Sequence, residues 1–285
     1  EILFSNWLRT FVSIVGEKYF NILEAKKNYR FNKIIISKNK FINQNNTLTD
    51  LGENSVRDVW NFELYSEIIK DLKFPKTKVM YETEYKQKNS FDLNKKNYNE
   101  RKFLNKTLTK ILNIFLKKNH SIIDDASLSR ISKMKIHLNL NQIPNIPIKY
   151  QINYKPLNEK IRSQLNFNYK NYSGLDRIIR KILPLSLPTT IIENYRDLNK
   201  SIEDLSYPKK PRLIFTTTEY NDNEIFKFLV ANKISKKTKF IIAQHGNNYF
   251  SIENYKFLCP EIKTADFFIS WGSIGEGKKV KKLFN

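Results

Sequence analysis

The sequence predicts an α/β protein built on an open, mostly parallel sheet with helices on both faces. Three observations lead there. Short β-branched or aromatic runs alternate with stretches of helical periodicity; the alternation breaks over residues 127–207, where prolines cluster; and it resumes after Pro208 and Pro211. Parallel strands require such alternation, because each is joined to the next by a crossover that is usually a helix. A chain of 285 residues accommodates the pattern as one large domain.

The first element is an amphipathic helix over Asn6 to Ala25. Leu8, Phe11, Val12, Val15, Tyr19, Phe20, Ile22 and Leu23 recur there at helical spacing, and Gly16 marks an interruption or bend. Lys33-Ile34-Ile35-Ile36-Ser37 reads as a buried strand. Between Val56 and Leu72 the residues Val59, Trp60, Leu64, Tyr65, Ile68, Ile69 and Leu72 share a helical face that Pro75 ends. A second strand is expected at Lys78 to Tyr81, a loop over Glu82 to Asn99, a helix over Phe103 to Phe115 and a third strand at Ser121 to Ile123. Ser127 to Tyr207 carries Pro144, Pro147, Pro156, Pro184 and Pro188, and reads as an irregular insertion with short helices near Ile178 to Leu183 and Thr190 to Leu198. The rhythm then returns. Leu213 to Thr217 is a strand, Glu224 to Lys233 a helix, Lys239 to Ala243 a strand, Ser251 to Thr264 largely helical, and Asp266 to Ser270 a strand. Asn221 and Glu224 stand where an N-cap and its N3 partner belong.

Composition excludes several classes. With 40% hydrophobic and 13% aromatic residues the chain is neither wholly disordered nor a fibre. No uninterrupted apolar stretch reaches the roughly 18 residues of a membrane span. The single cysteine, Cys259, forms no internal disulfide, and three dispersed histidines (His120, His137, His245) build no local metal cluster. No metal or cofactor is expected. The net charge of +22 has two readings. It is either the trace of an AT-rich genome, which also overuses Lys, Asn and Ile, or an attraction toward nucleic acid, anionic membrane or phosphorylated substrates. The basic residues are scattered doublets with no nucleic-acid motif beside them, so no specific nucleic acid is expected.

Ligands of open parallel sheets bind outside the carboxyl ends of the strands. That rule selects Thr216-Thr217-Thr218-Glu219-Tyr220, Gln244-His245-Gly246-Asn247-Asn248-Tyr249 and Trp271-Gly272-Ser273. His245 is a candidate general base or phosphate partner, and Gly246 would allow a tight turn or a close backbone approach. Glu219 is a candidate to orient His245 or to act as a carboxylate base. Trp271 stands where it would stack on a ring or pack under a loop. Each of these residues has an ordinary loop role as its alternative. His120, His137 and Cys259 read as structural, and Asp266 as a strand-start residue. No Walker A, GxGxxG or GxSxG pattern occurs.

These residues, taken in order, resemble a known family. Pro211 to Thr217, then Asn223 to Ala231 with Glu224, Phe226 and Lys227, then Gln244-His245-Gly246, Glu253, Asp266 and Trp271-Gly272 resemble the LIC-type transferases of bacterial surface-polysaccharide gene clusters. Asn6-Trp7-Leu8, Asp58-Val59-Trp60-Asn61 and Leu183-Pro184 to Leu187-Pro188 with Glu193 and Tyr195 agree in the same order. The sequence departs at Asn247, where a second glycine is usual, and at Ser273, where an aromatic is usual. The resemblance implies the Rossmann-like amino-terminal half of a GT-B two-domain glycosyltransferase, covering residues 1–275. Residues 276–285, with Lys278 to Asn285, would start a linker to a donor-binding domain. The first residue is Glu1 rather than Met, so a fragment inactive by itself is expected. The implied partners are a nucleotide-sugar donor and a glycan or lipid-linked acceptor. The implied location is cytoplasmic, with peripheral contact at the anionic inner membrane. His245 and Glu219 would be catalytic, and Gln244, Gly246, Asn247, Thr217, Trp271 and Gly272 would line the substrate. The alternatives are a polyol-phosphate transferase and a non-enzymatic basic module that binds nucleic acid or anionic lipid.

Overall fold

A computed structural model of the chain describes residues 2–38, 41, 45–74, 78–82, 116–125, 127–144, 152–165, 167–203, 205, 207–234, 237–246, 249, 259–272 and 278–283. Among them the element order is α1 (Ser5–Asn28), β1 (Lys33–Ser37), α2 (Asp50–Ser55), α3 (Asp58–Leu72), β2 (Lys78–Glu82), β3 (Ile122–Ile123), α4 (Arg130–Asn139), α5 (Glu159–Ser163), a 3-10 turn (Tyr169–Asn171), α6 (Gly174–Ser186), α7 (Tyr195–Glu203), β4 (Leu213–Thr216), α8 (Glu219–Asp222), α9 (Glu224–Ile234), β5 (Lys239–Ala243), α10 (Pro260–Thr264), β6 (Phe267–Ser270) and β7 (Val280–Lys282). The expected helix over Phe103 to Phe115 lies outside the described residues, as does the Ser251 to Leu258 part of the next expected helix. Strands expected in one sheet are divided between two. β1 and β2 pair with each other, and the other five form a second sheet. The chain accordingly separates into two compact units, one of Glu1–Ser5, Lys95–Ile152 and Asp197–Asn285, the other of Asn6–Asn94 and Asn153–Arg196.

In the second of these units α1 buries Trp7, Phe11, Val15 and Tyr19, a stripe at four-residue spacing. Trp7 stacks on Phe11 with centroids 5.0 Å apart. The helix runs unbroken through Gly16, contrary to the expected bend. A side chain there would meet Leu175 at an ordinary 3.6 Å, so the glycine marks helix packing and not a break. β1 is parallel to β2 with Lys33 opposite Lys78. It is not the buried strand its β-branched run predicts, since only Ile36 and Ser37 are buried. Ser37 donates its N–H to Ser66 of α3 at 2.8 Å.

The expected insertion over residues 127–207 is split. α4 belongs to one unit, while Asn153–Arg196 joins α1, α3 and the two-stranded sheet in the other. A fully buried guanidinium organises that later segment. Arg162 forks onto Glu193 through Nε and Nη2, both at 2.7 Å, and Nη1 donates to the carbonyls of Pro184 at 3.0 Å and Leu187 at 2.7 Å. The last two are carbonyls at the end of α6, which the helix itself leaves without donors. Burial works against charge on Glu193. The Arg162 hydrogen bonds, the Asn158 N–H and the Arg162 charge outweigh it and hold the carboxyl below its ordinary value. Removing the anion strands a buried cation. Glu193→Ala should therefore lose about 3–5 kcal/mol, read as a lower denaturation midpoint; an unchanged midpoint would show that Arg162 does not need its partner.

The first unit carries the five-stranded sheet, parallel throughout, in the order β3-β4-β5-β6-β7. Ile122, Ile214, Phe240, Ile242 and Phe268 are fully buried along it. Tyr220 and Phe226 close on Phe240 at 5.9 and 6.4 Å. Val280–Lys282, expected to lead away as a linker, is instead the edge strand, with Val280 opposite Phe268. The cap of α9 is Asn223, whose Oδ1 accepts the Phe226 N–H at 3.0 Å, not Asn221. Two residues decide this, because the helix begins at Glu224 and its N-cap must directly precede it.

α4 is tied to the sheet through a buried polar chain. His137 Nδ1 lies 2.7 Å from Gln142 Nε2, and Gln142 both accepts from the Ser121 N–H and donates to the Ser121 carbonyl. Burial first, then electrostatic repulsion from His120 and Lys133, pushes the His137 pKa down. The folded state thus binds this proton more weakly than the unfolded chain, whose His titrates near 6.5. Its stabilising contribution is complete above about pH 6.5 and is lost as pH falls toward the depressed folded value. Thermal denaturation should show a midpoint that declines from about pH 7 to 5.5, and His137→Gln should flatten the decline. An equal slope in that variant would assign it to other groups.

Candidate active site

Parallel pairing brings the carboxyl ends of β3 to β7 to one edge, about 5 Å apart from strand to strand. The loop after β3, which the sequence reading passed over, supplies Asp124, Asp125 and Ser127. Asp125 is wholly buried. Its Oδ1 accepts from Thr217 Oγ1 at 2.6 Å, Ser127 Oγ at 2.6 Å and the Ser127 N–H at 2.8 Å. Its Oδ2 has no hydrogen-bond partner among the described residues. Asp124 accepts from the Tyr207 hydroxyl at 3.0 Å. Burial, then the charge of Glu219, raises the Asp124 pKa, against the Tyr207 hydrogen bond and Lys133. Asp124 therefore holds a proton more readily than an ordinary carboxyl, the property a general acid needs. The switch of apolar Ile122-Ile123 to paired carboxylates was the sequence signal for this loop, by the same strand-end rule that picked the other three.

Thr217 thus spends its hydroxyl on Asp125 rather than facing a ligand alone. Glu219 opens α8; its N–H donates to Thr216 Oγ1 at 3.2 Å and its carboxylate accepts from Asn223 at 2.7 Å. The carboxylate beside His245 is a different one. Glu261 of α10 approaches His245 Nδ1 to 3.8 Å, and the Tyr249 hydroxyl stands between them, 2.8 Å from Nδ1 and 2.6 Å from Glu261 Oε2. Glu261 is itself buried. It also receives Asn221 Nδ2 at 2.6 Å and the Cys259 thiol at 3.3 Å. Burial pushes that thiol up to about 12, so Cys259 is no nucleophile at neutral pH.

The network assigns the imidazole. Tyr249 has one proton, and the short contact to Glu261 takes it, so its oxygen meets Nδ1 as an acceptor. Nδ1, the nearer nitrogen, then carries the hydrogen, and Nε2, 3.4 Å from the same hydroxyl, keeps its lone pair on an exposed histidine. Such an arrangement holds a base in one tautomer and one orientation.

Gln244, Trp271 and Gly272 complete the edge. Gln244 is buried and clamps two loops: Nε2 donates to the Gly246 carbonyl at 2.7 Å, and Oε1 accepts the Trp271 N–H at 2.9 Å. Trp271 does not pack under a loop, since it is 46% exposed. Gly272 sits at φ +76°, where a side chain would be strained. Gly246 has no such requirement, because its φ is not positive and a side chain would find open space. Its carbonyl, not its lack of a side chain, is what the described structure uses. Asn247 and Ser273 lie outside the described residues. Asp266 sits at the opposite edge, where it accepts from the Phe240 N–H and Lys239 as a strand-start residue should. No group of three or more His, Cys, Asp or Glu among the described residues is arranged to hold a metal ion.

Residues 1–284 match the sequence model of the LIC12162 family transferase. The chain belongs to this transferase family. No curated protein and no solved structure matches it. For a LIC12162 family transferase, a strand-end histidine backed by a buried carboxylate is a site equipped to take a proton from an attacking group.

The Gln244 clamp has a measurable consequence. Gln244→Ala leaves the Trp271 N–H and the Gly246 carbonyl without their side-chain partner, so stability should fall by about 1–3 kcal/mol and the protection of the Trp271 amide from hydrogen exchange should fall with it. Unaltered exchange at Trp271 would remove Gln244 from this role.

Proposed function

We propose that this transferase moves a group from a nucleotide-activated donor to a hydroxyl of a surface-polysaccharide acceptor, with His245 as general base. The donor is a nucleotide sugar, and the framework is glycosyltransferase-like in the GT-B manner. The observation that carries the proposal is the His245–Tyr249–Glu261 chain at the carboxyl end of β5, in which the Tyr249 hydroxyl lies closer to Nδ1, at 2.8 Å, than to Nε2, at 3.4 Å, and so leaves Nε2 as the nitrogen that takes the proton. The acceptor O–H gives its proton to Nε2 as the oxygen forms a bond to the anomeric carbon, and the bond from that carbon to the nucleotide's phosphate oxygen breaks, so the nucleotide leaves with the bonding electron pair on its phosphate. The Tyr249 and Glu261 pair keeps the resulting imidazolium oriented and compensated. Trp271, half-exposed at the next strand end, offers a face for a sugar or base ring. Asp124, with its raised pKa, supplies the proton-holding partner that leaving-group departure uses.

The test is turnover of the protein against UDP-, GDP-, dTDP- and CMP-sugars and CDP-polyols. His245→Ala should lower the rate with the accepted donor by about 10²-fold or more while the denaturation midpoint stays put. Tyr249→Phe should lower the rate less and shift the pH profile. A His245→Ala variant with full activity would remove His245 from the chemistry. Turnover with CDP-polyols alone would replace the sugar donor with a polyol phosphate.

A further inference from the structure

Helix α4 is inside out. Its buried face is anchored by a polar residue, His137, which is 1% exposed and held by Gln142. Its outward face carries large apolar side chains: Ile131 is 63% exposed, Met134 48% and Leu138 59%. At i, i+3 and i+7 these three share one helical face. Lys135 flanks them on one side and Arg130 on the other, and the helix contains no acidic residue. A helix serving only the core would turn the apolar stripe inward and leave the histidine outside. Rotation is not free, because the Ser129 cap accepts the Ser132 N–H at 3.1 Å at one end and the His137–Gln142–Ser121 chain pins the other.

We propose that α4 is a membrane-docking helix that inserts Ile131, Met134 and Leu138 into the interface of an anionic phospholipid surface. Charge complementarity selects this occupant. The chain carries +22, and Arg130 and Lys135 rim the stripe at the level where lipid phosphates lie, their alkyl stems free to extend over it. A second copy of the chain would bring the same basic rim against itself. A nucleic acid would meet the cations but has no use for three aliphatic side chains. The place of α4 fits a lipid-linked substrate, since it follows the Asp124–Asp125 loop directly and the charge of its Lys133 acts on Asp124. Docking here holds the β3 end of the candidate site near the bilayer surface. The inference stands apart from the transfer chemistry, because it is read by binding without turnover.

Co-sedimentation with vesicles of phosphatidylcholine containing about a third phosphatidylglycerol tests it. The decisive variant is Ile131→Ser/Met134→Ser/Leu138→Ser, which leaves every charge in place and touches no buried side chain. Partitioning of the wild-type chain should exceed that of the variant by about tenfold or more, and pure phosphatidylcholine should bind weakly. A fluorescent label on Leu138→Cys should shift to the blue on the anionic vesicles, with buried Cys259 left unmodified. Equal binding by the triple variant would reduce the effect to net charge and overturn the proposal. So would a label that stays in water, or self-association of the wild-type chain in sedimentation that the triple variant abolishes.

Discussion

A parallel strand pair can be closed only by a crossover, so every carboxyl end of a parallel sheet opens onto the same edge. The candidate site is a consequence of that constraint. β3, β4, β5 and β6 are followed directly by Asp124, Thr217, Gln244 and Trp271, residues up to about 150 positions apart in the chain and brought within a few strand spacings by register alone. The ends are then stitched pairwise. Thr217 on Asp125 joins β3 to β4, and Gln244 on the Trp271 N–H joins β5 to β6. Asn221 on Glu261 joins α8, after β4, to α10, before β6. Each stitch satisfies a buried polar group that would otherwise weigh against the fold, so the edge that carries the candidate site is also one the fold needs.

What the sequence made legible was periodic. The strand runs at Lys33, Lys78, Ser121, Leu213, Lys239 and Asp266 are all strands, and the helices over α1, α3 and α9 are helices, because hydrophobic spacing is a local property. What it hid was non-local. Nothing in the stretch Asn153 to Arg196 announces that it leaves the sheet-bearing unit, because its organiser is Arg162, one arginine among many until Glu193 closes on it. Val280 to Lys282 reads as a charged tail, since an edge strand with one ladder partner needs little apolar burial. Two adjacent strand runs were read into one sheet because strand signals carry no information about which neighbour they pair with.

The site was half legible for the same reason. His245, Gln244 and Trp271 are found by the strand-end rule. Glu261 is not, and Tyr249 lies in the selected loop with no role assigned to it, because each is an ordinary residue whose role exists only through a partner: a tyrosine four positions on, then a glutamate twelve beyond that. The rule fails differently for Glu219, which stands at the right edge but turns its carboxylate to Asn223. Position on the edge is necessary for a role, and the hydrogen-bond inventory decides who fills it. Asp124 and Asp125 show the converse, being fully exposed to the rule and overlooked because the rhythm breaks just after them.

The basic excess and the acidic site belong together. A chain at +22 presents a field that draws anionic partners over its whole surface, whatever the origin of its lysines. Within that field Asp124, Asp125 and Glu219 lie close enough that two of the three raise the pKa of the first, a local concentration of carboxylates at one sheet edge. Long-range attraction of this kind acts on any anion and does not fix where one binds. Short-range contacts must do that, and on this edge they are hydroxyls, amides, one imidazole and one half-exposed indole. α4 follows the same division. Its cations are of the general field, and what its own geometry adds is three outward apolar side chains on a helix whose buried face is pinned by a histidine.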